Sequence, residues 1–129
     1  MIERINPSGL SQPPGYSHVV VASGSQLLTT AGAVPLNAEG NLVGRGNHLA
    51  QARQTIDNLL LALEAAGATA RDVVKTTVYV VSEERSDLSA VWRVVQASKM
   101  ADAASTLVGV TMLGYEGQLV EIEAIAVRG

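Results

Sequence analysis

The chain of 129 residues contains no cysteine, which excludes disulfide bonds, thiol catalysis and zinc held by cysteine. No apolar run approaches the ~18 residues that a membrane-spanning helix requires. The first residues also lack the basic-then-apolar pattern of a secretion signal. Nine basic residues are scattered along a chain of net charge −3, so the clustered positive charge of a nucleic-acid surface is missing. We therefore expect a cytoplasmic protein that binds neither nucleic acid nor membrane.

Motifs for metal binding, nucleophilic catalysis and phosphate binding are also missing. The two histidines, His18 and His48, are far apart and have no carboxylates at ligand spacing, so we expect no metal site. The sequence has neither a G-x-S-x-G elbow nor a Walker loop. Residues 43–48, "VGRGNH", lack the third glycine and the preceding strand of a dinucleotide fingerprint, and are better explained as a capping loop.

What is present is a globular composition, with 47% hydrophobic and 16% charged residues. This length is enough for one hydrophobic core, and no linker or repeat interrupts it, so we expect a single domain over residues 1–129. Residues 1–16 are rich in proline, glycine and serine and predict an irregular lead-in with room for a short strand.

Periodicity then predicts the element order β-β-α-β-α-β-β. Two apolar runs, "SHVVVAS" and "QLLTTAG", meet at Gly24 and indicate a hairpin with a tight primed turn. A long helix is expected from an N-cap at Asn47 to a stop at Gly67, and a second helix capped by Ser86 or Asp87. Three further strands are predicted in "DVVKTTVYVV", "STLVGVTML" and "LVEIEAIAV".

Alternation along the last strand separates an apolar row from a mixed row, because residues two apart in a strand point to the same side. Glu121 and Glu123 fall in the mixed row. The apolar row, expected to face the core, comprises Val120, Ile122, Ala124 and Ala126. In "DVVKTTVYVV" the same alternation predicts a core row of Val74, Thr76, Val78 and Val80, with Val73, Thr77, Tyr79 and Val81 opposite.

Two helices on a sheet of five or six strands can cover only one of its faces. The other face would be a large exposed apolar patch, which monomers rarely tolerate. We therefore expect a homo-oligomer whose sheets pack against each other. Loops are the alternative cover, but loops of this length would hide only part of the face.

Several stretches of the chain resemble a known family. Residues 51–81, "QARQTIDNLLLALEAAGATARDVVKTTVYVV", and residues 120–128, "VEIEAIAVR", are similar to its two signature regions, and "PPGY" and "VPLN" also match. The family is that of the reactive intermediate deaminases (RidA, also called YjgF or the liver perchloric-acid-soluble protein family). The resemblance covers nearly the whole chain, in order.

The resemblance implies a chorismate-mutase-like α/β fold of the α+β kind, a mixed sheet with two helices on one face. It also implies a homotrimer whose sheets form a central barrel, with three clefts between subunits. In the best-known branch of the family, each cleft hydrolyses an enamine or imine of an amino acid to a 2-keto acid and ammonia. We thus expect a small-molecule ligand, identical subunits as partners and no cofactor.

The family's cleft residues carry over only in part. Tyr16 matches the family tyrosine at the cleft, and Glu121 matches the glutamate of the last strand, which is thought to orient or activate water. Gly32 matches the glycine of a Ser-Gly-Gln motif, but its neighbours Ala31 and Ala33 offer neither the hydroxyl nor the amide.

The largest departure lies in "ADAASTLVGV", where the deaminase branch has Pro-Ala-Arg-Ser. Ser105 stands in place of the substrate-anchoring arginine, followed by Thr106, and Trp92 aligns with a family asparagine. An arginine holds a carboxylate through two charge-assisted hydrogen bonds of roughly 1.5–3 kcal/mol each, so its loss weakens such binding by about two to four powers of ten. The chain resembles an arginine-less branch.

Other interpretations of these residues stay open. Glu121 and Glu123 would also fit a cross-strand ionic ladder with Lys75. Trp92 lies at an inward helical position typical of core, and the Ser105–Thr106 pair is equally suited to a strand at the sheet edge.

Three functions remain for such a chain. The first is a hydrolytic deaminase acting on an imine or enamine other than the simple amino-acid kind, with Glu121 as its catalytic group and aminomuconate-like compounds as one class. The second is a trimer that binds a keto acid or aromatic acid without chemistry. The third is the endoribonuclease or translation-inhibitor activity of some family members, which the acidic charge and the lack of paired histidines disfavour.

Overall fold

The computed structural model describes residues 1–100 and 102–129. Along these two stretches eight strands and helices follow one another, with a short 3-10 helix, Ala70–Asp72, before the fourth strand. They are β1 (Ile2–Ile5), β2 (Val19–Ala22), β3 (Gln26–Thr29), α1 (His48–Ala65), β4 (Val73–Val81), α2 (Arg85–Ala97), β5 (Ala104–Val110) and β6 (Val120–Arg128). The predicted order is confirmed, with β1 added in the lead-in.

The strands form two sheets instead of the single one expected. The larger sheet has the order β3-β6-β4-β5, in which β4 and β5 are parallel and the other pairs antiparallel. β1 and β2 form a separate antiparallel pair. The predicted β2–β3 hairpin is therefore wrong. Its tight primed turn needs a residue with positive φ, and Gly24 is not among the glycines that adopt one.

Helix α1 confirms the sequence prediction at both ends. The Asn47 side chain accepts the Ala50 N–H at 3.0 Å, as an N-cap should. At the other end Gly67 adopts φ +77°. The N–H groups of Gly67 and Ala68 then return to the carbonyls of Glu64 and Leu63, both at 2.9 Å, which is the Schellman pattern.

Helix α2 begins earlier than predicted. Its first residue is Arg85 and its N-cap position is Glu84, so the expected caps at Ser86 and Asp87 are wrong. The reason is Ser82, whose hydroxyl accepts the Glu84 N–H at 2.9 Å and donates to the Asp87 carboxylate at 2.7 Å. These two bonds tie the N-cap residue Glu84 and the first-turn residue Asp87 to a residue outside the helix.

Both helices cover one face of the larger sheet, and the row of β6 residues predicted to face them is buried. Val120, Ile122, Ala124 and Ala126 are at most 3% exposed. On β4 the prediction holds from Thr76 onwards, but a register irregularity between Val73 and Lys75 shifts the start of the strand. Val73 is therefore only 1% exposed and belongs to the core, which corrects its assignment to the opposite face.

The other face of this sheet, here called the open face, has no helix on it. It carries Glu121 and Glu123 on β6, and the apolar side chains of Leu27 and Ile125 are 69% and 38% exposed there. No helix in the described part of the chain is long and apolar enough to cross a membrane.

We predict that the open face mediates self-association, in threes if the resemblance holds. Sedimentation at micromolar concentration should give a multiple of the 13.4 kDa subunit mass. Ile125→Lys should shift the protein towards single subunits, because it places a charge among apolar side chains. The matched control is Leu61→Lys on α1, a site 64% exposed and away from the open face. A single 13.4 kDa species for the unaltered protein would contradict the prediction.

Candidate functional site

Glu121 lies on the open face of the larger sheet, half-buried, directly across from Tyr79 on β4. Its Oε1 accepts a hydrogen bond from Gln118 Nε2 at 3.1 Å. Gln118 is itself 3% exposed and comes from the turn before β6. The carboxylate is thus held by a neutral donor from within its own chain.

Gly32 brings the backbone against that carboxylate. Beyond β3 the chain continues along β6, with Thr29 opposite Ile125 and Ala33 opposite Ile122, so one additional residue is accommodated between these pairs. A Cβ on Gly32 would lie 2.6 Å from Glu121 Cδ. No other residue type fits here without displacing the glutamate, and the structure therefore brings Gly32 and Glu121 together.

Glu123 is held differently. It accepts a hydrogen bond from the Tyr79 hydroxyl at 3.0 Å. This bond, together with the negative charges of Glu123 and Glu121, raises the pKa of Tyr79. Lys75 lies across from Ile125 and donates to the Thr106 hydroxyl at 2.8 Å, so the ionic ladder with the two glutamates is not formed.

Tyr16, Trp92 and Ser105 meet in a second place. Together with Pro14 and Leu107 they line a cavity of about 310 Å³ between α2, the edge strand β5 and the lead-in segment. Four of these five lining residues are apolar or aromatic, and none carries a charge.

Hydrogen bonds fix the walls of this cavity, here called the aromatic pocket. Trp92 Nε1 donates to Pro14 O at 2.8 Å, which ties the lead-in to α2. The rings of Tyr16 and Trp92 meet edge to face at 6.4 Å, a favourable arrangement for aromatic pairs. The Ser105 oxygen accepts from the hydroxyl of Thr76 at 2.7 Å.

The predicted site residues therefore do not form a single site within one chain, and two groups of them lie on opposite faces of the sheet. Ser105 pairs in register with the buried Thr76 on the helix side, whereas Thr106 pairs with Thr77 on the open face. Ala31 and Gly32 border a third space, a groove of about 730 Å³ between α1 and the β3 segment. Among the residues that the structure describes, Glu121 does not line the aromatic pocket.

Two buried glutamines were not foreseen from the sequence. Gln118 contacts Glu121, and Gln51 on α1, fully buried, binds the backbone on both sides of Gln118. A glutamine in a turn gives no periodic signal. The only hint was the three-residue spacing from Gln118 to Glu121.

Metal binding has no support in the part of the chain that the structure describes, where no three His, Cys, Asp or Glu side chains gather at ligand distance. The ring nitrogens Nε2 of His18 and His48 lie at hydrogen-bond distance from backbone carbonyls, those of Ser11 at 2.8 Å and Val81 at 2.9 Å.

Comparison with known proteins places this geometry in context. The family model described as Endoribonuclease L-PSP matches residues 9–128. The 2-iminobutanoate/2-iminopropanoate deaminase of Escherichia coli K12 is 36% identical over 106 residues, which are 79% of this chain and 80% of that protein. A Rid family protein of Yersinia pestis, YyfB, superposes with a TM-score of 0.92 at 38% identity over 98% of both chains. The YjgF gene product of Escherichia coli superposes with a TM-score of 0.66 at 33% identity over 90% of both chains. These neighbours confirm the expected chorismate-mutase-like α+β fold.

The Tyr79–Glu123 bond predicts a pH dependence. Because the pKa of Tyr79 is raised in the folded chain, the bond's contribution to stability is complete below the unfolded-state pKa near 10 and is lost as pH rises through the folded-state pKa. Ultraviolet titration of tyrosinate should show a step above the ordinary range. Tyr79→Phe should remove that step and Glu123→Gln should lower it. A titration unchanged by Glu123→Gln would contradict the assignment.

Proposed function

The chain belongs to the RidA/YjgF family, and on that premise we propose that it is a cofactor-free hydrolase of small enamines or imines. The products are a carbonyl compound and ammonia, and the reaction takes place in clefts between the subunits of a homotrimer. The observation that carries the proposal is the Glu121 carboxylate, held by Gln118 and lying against the Gly32 backbone on the open face.

The separation of the two groups of site residues supports shared clefts. The aromatic pocket lies on the helix side of the edge strand β5, whereas Glu121 lies on the open face and two strands away. Two strand spacings of ~4.8 Å and the thickness of the sheet itself separate these groups, so one small ligand bound within a single chain does not contact both. If β5 of one subunit packs against the open face of the next, the aromatic pocket of the first and Glu121 of the second form one cleft.

In such a cleft the hydrolysis needs one positioned water and one general base that accepts a proton from it. An enamine first tautomerises to the imine. Water then attacks the C=N carbon while Glu121 takes a proton from it, so a C–O bond forms. That proton passes to the nitrogen, so the C=N double bond becomes the C–N single bond of a carbinolamine. The hydroxyl proton of the carbinolamine then moves through Glu121 to the nitrogen, the C–N bond breaks, and ammonia leaves as the C=O bond forms. Atoms and charge balance without an oxidant or reductant.

The aromatic pocket argues for a substrate other than a simple 2-imino acid. The family's carboxylate-binding arginine is replaced by Ser105, whose oxygen already accepts the Thr76 hydroxyl. Tyr16 and Trp92 offer apolar ring surface beside it. We propose that a conjugated, uncharged part of the substrate lies there, which fits aminomuconate-like enamines better than 2-iminopropanoate.

The second candidate is a trimer that binds a keto acid or aromatic acid without chemistry. It is favoured by the lining of the aromatic pocket, which has no acid or base stronger than the Tyr16 phenol. RNA cleavage, which the name of the family model suggests, is not proposed. Its usual acid–base pair would need free histidine nitrogens close together, and His18 and His48 belong to separate parts of the fold.

Turnover distinguishes the two candidates. We expect the protein to accelerate the loss of 2-aminomuconate absorbance, and Glu121→Gln to lower kcat by about 100-fold or more, because general base catalysis contributes 10²–10⁴-fold. The matched control is Glu123→Gln two residues along the same face, which should keep most of the activity. Failure of both 2-aminomuconate and 2-iminopropanoate, with a melting temperature raised by a keto acid or an aromatic acid, would establish the binding protein instead.

Restoring the carboxylate-binding arginine should restore hydrolysis of simple 2-imino acids. Ser105→Arg is expected to raise kcat/KM for enzymatically generated 2-iminopropanoate by about 100-fold or more, because a bidentate pair with the carboxylate is gained. Ser105→Gln is the control, since it loses the same bond to Thr76 and adds comparable bulk without charge. Equal activity of the two variants would show that position 105 does not contact the substrate carboxylate.

A further inference from the structure

Both amide hydrogens of the Gln118 side chain and its amide oxygen are engaged in hydrogen bonds. Its Oε1 accepts the Tyr115 N–H at 3.1 Å, and its Nε2 donates to Val120 O at 3.0 Å and to Glu121 Oε1 at 3.1 Å. With 3% of its surface exposed, the side chain has almost no access to water that could replace these partners.

The orientation of this amide follows from its partners. A backbone N–H can only donate, so Tyr115 must face the amide oxygen. A backbone carbonyl can only accept, so Val120 O must face the amide nitrogen. One hydrogen of Nε2 meets Val120 O, and the other is left for Glu121. A flipped amide would lose both backbone partners at once.

The backbone on either side of Gln118 is fixed as well. Gln51, fully buried on α1, donates from Nε2 to Gly117 O at 3.0 Å and accepts the Leu119 N–H with Oε1 at 2.7 Å. Its Nε2 also lies 3.2 Å from Gly44 O, which anchors it to the loop before the helix. Gln118 therefore lies between Gly117 and Leu119, and the backbone groups of both are hydrogen-bonded to the buried Gln51 side chain.

We propose that Gln118 is the positioning residue for the reacting carboxylate. By binding Oε1 of Glu121 it directs the other oxygen, Oε2, towards the Gly32 backbone, and Oε2 is the atom that takes the proton from water. The catalytic part of this inference rests on the proposed function, whereas the fixed orientation of Glu121 does not.

The kinetic test replaces Gln118 by methionine, which has similar length and no N–H donor. Gln118→Met should lower kcat for 2-aminomuconate by about 10- to 100-fold, the range expected from one hydrogen bond to a charged group. KM should change little, because Gln118 does not touch the substrate. The matched control is Gln54→Met, which removes an amide that donates to Asn58 on the same helix α1, and it should keep its kcat. A Gln118→Met variant with unchanged kcat would overturn the proposal.

A spectroscopic test still decides the question if Gln118→Met does not fold or if the protein has no turnover. In the NMR spectrum of the unaltered protein, the two side-chain amide protons of Gln118 should be strongly inequivalent. Glu121→Gln should shift the proton that faces Glu121 far more than Glu123→Gln does, because Glu123 bonds Tyr79 instead. Equal responses to the two variants would overturn the positioning role even if the enzyme is active. A selective response in a protein without turnover would retain the orientation and reject the proposed function.

Discussion

The burial of one row of β6 side chains is the constraint on which the rest of the structure depends. Val120, Ile122, Ala124 and Ala126 are almost completely removed from water, and with two helices on that side β6 has only one acceptable orientation. A slip of one residue would place Glu121 and Glu123 in the core, where unpaired charge is very unfavourable. The packing of four apolar residues thus determines where the two carboxylates point.

Two glutamates on one strand are given different environments by their neighbours. Glu121 receives a buried amide from its own strand's entry turn, and Glu123 receives a phenol from β4. The amide is clamped from the core by Gln51, whereas Tyr79 lies on the half-buried outer surface of the sheet. The donor to Glu121 is therefore fixed by the core. The donor to Glu123 is a phenol that can itself lose its proton.

The sequence was most informative where a single local pattern determines the structure. The caps of α1 at Asn47 and Gly67 and the alternation of β6 could be predicted because nearest neighbours decide them. Prediction from the sequence failed where the local structure depends on a few backbone torsion angles. The irregularity at Val73 and the backbone of Gly24, which lacks positive φ, both escaped a pattern of residue types.

Gln118 could not be predicted because its role exists only after the turn and β6 are in place. The pocket residues were recognisable by resemblance alone, and their division between the two faces of the sheet required the strand register.

The tie between Trp92 and Pro14 gives the lead-in a role of its own. Ser17 adds two further bonds to the chain before β5, from its hydroxyl to Asp102 O and from its N–H to Ala103 O. One wall of the aromatic pocket therefore exists only while the amino-terminal segment is docked on α2 and β5. Binding of a molecule in the aromatic pocket and docking of the amino-terminal segment are then linked equilibria. Any molecule that fills the space beside Tyr16 also makes detachment of that segment less favourable, and loosening the segment lowers the affinity for the molecule to the same extent.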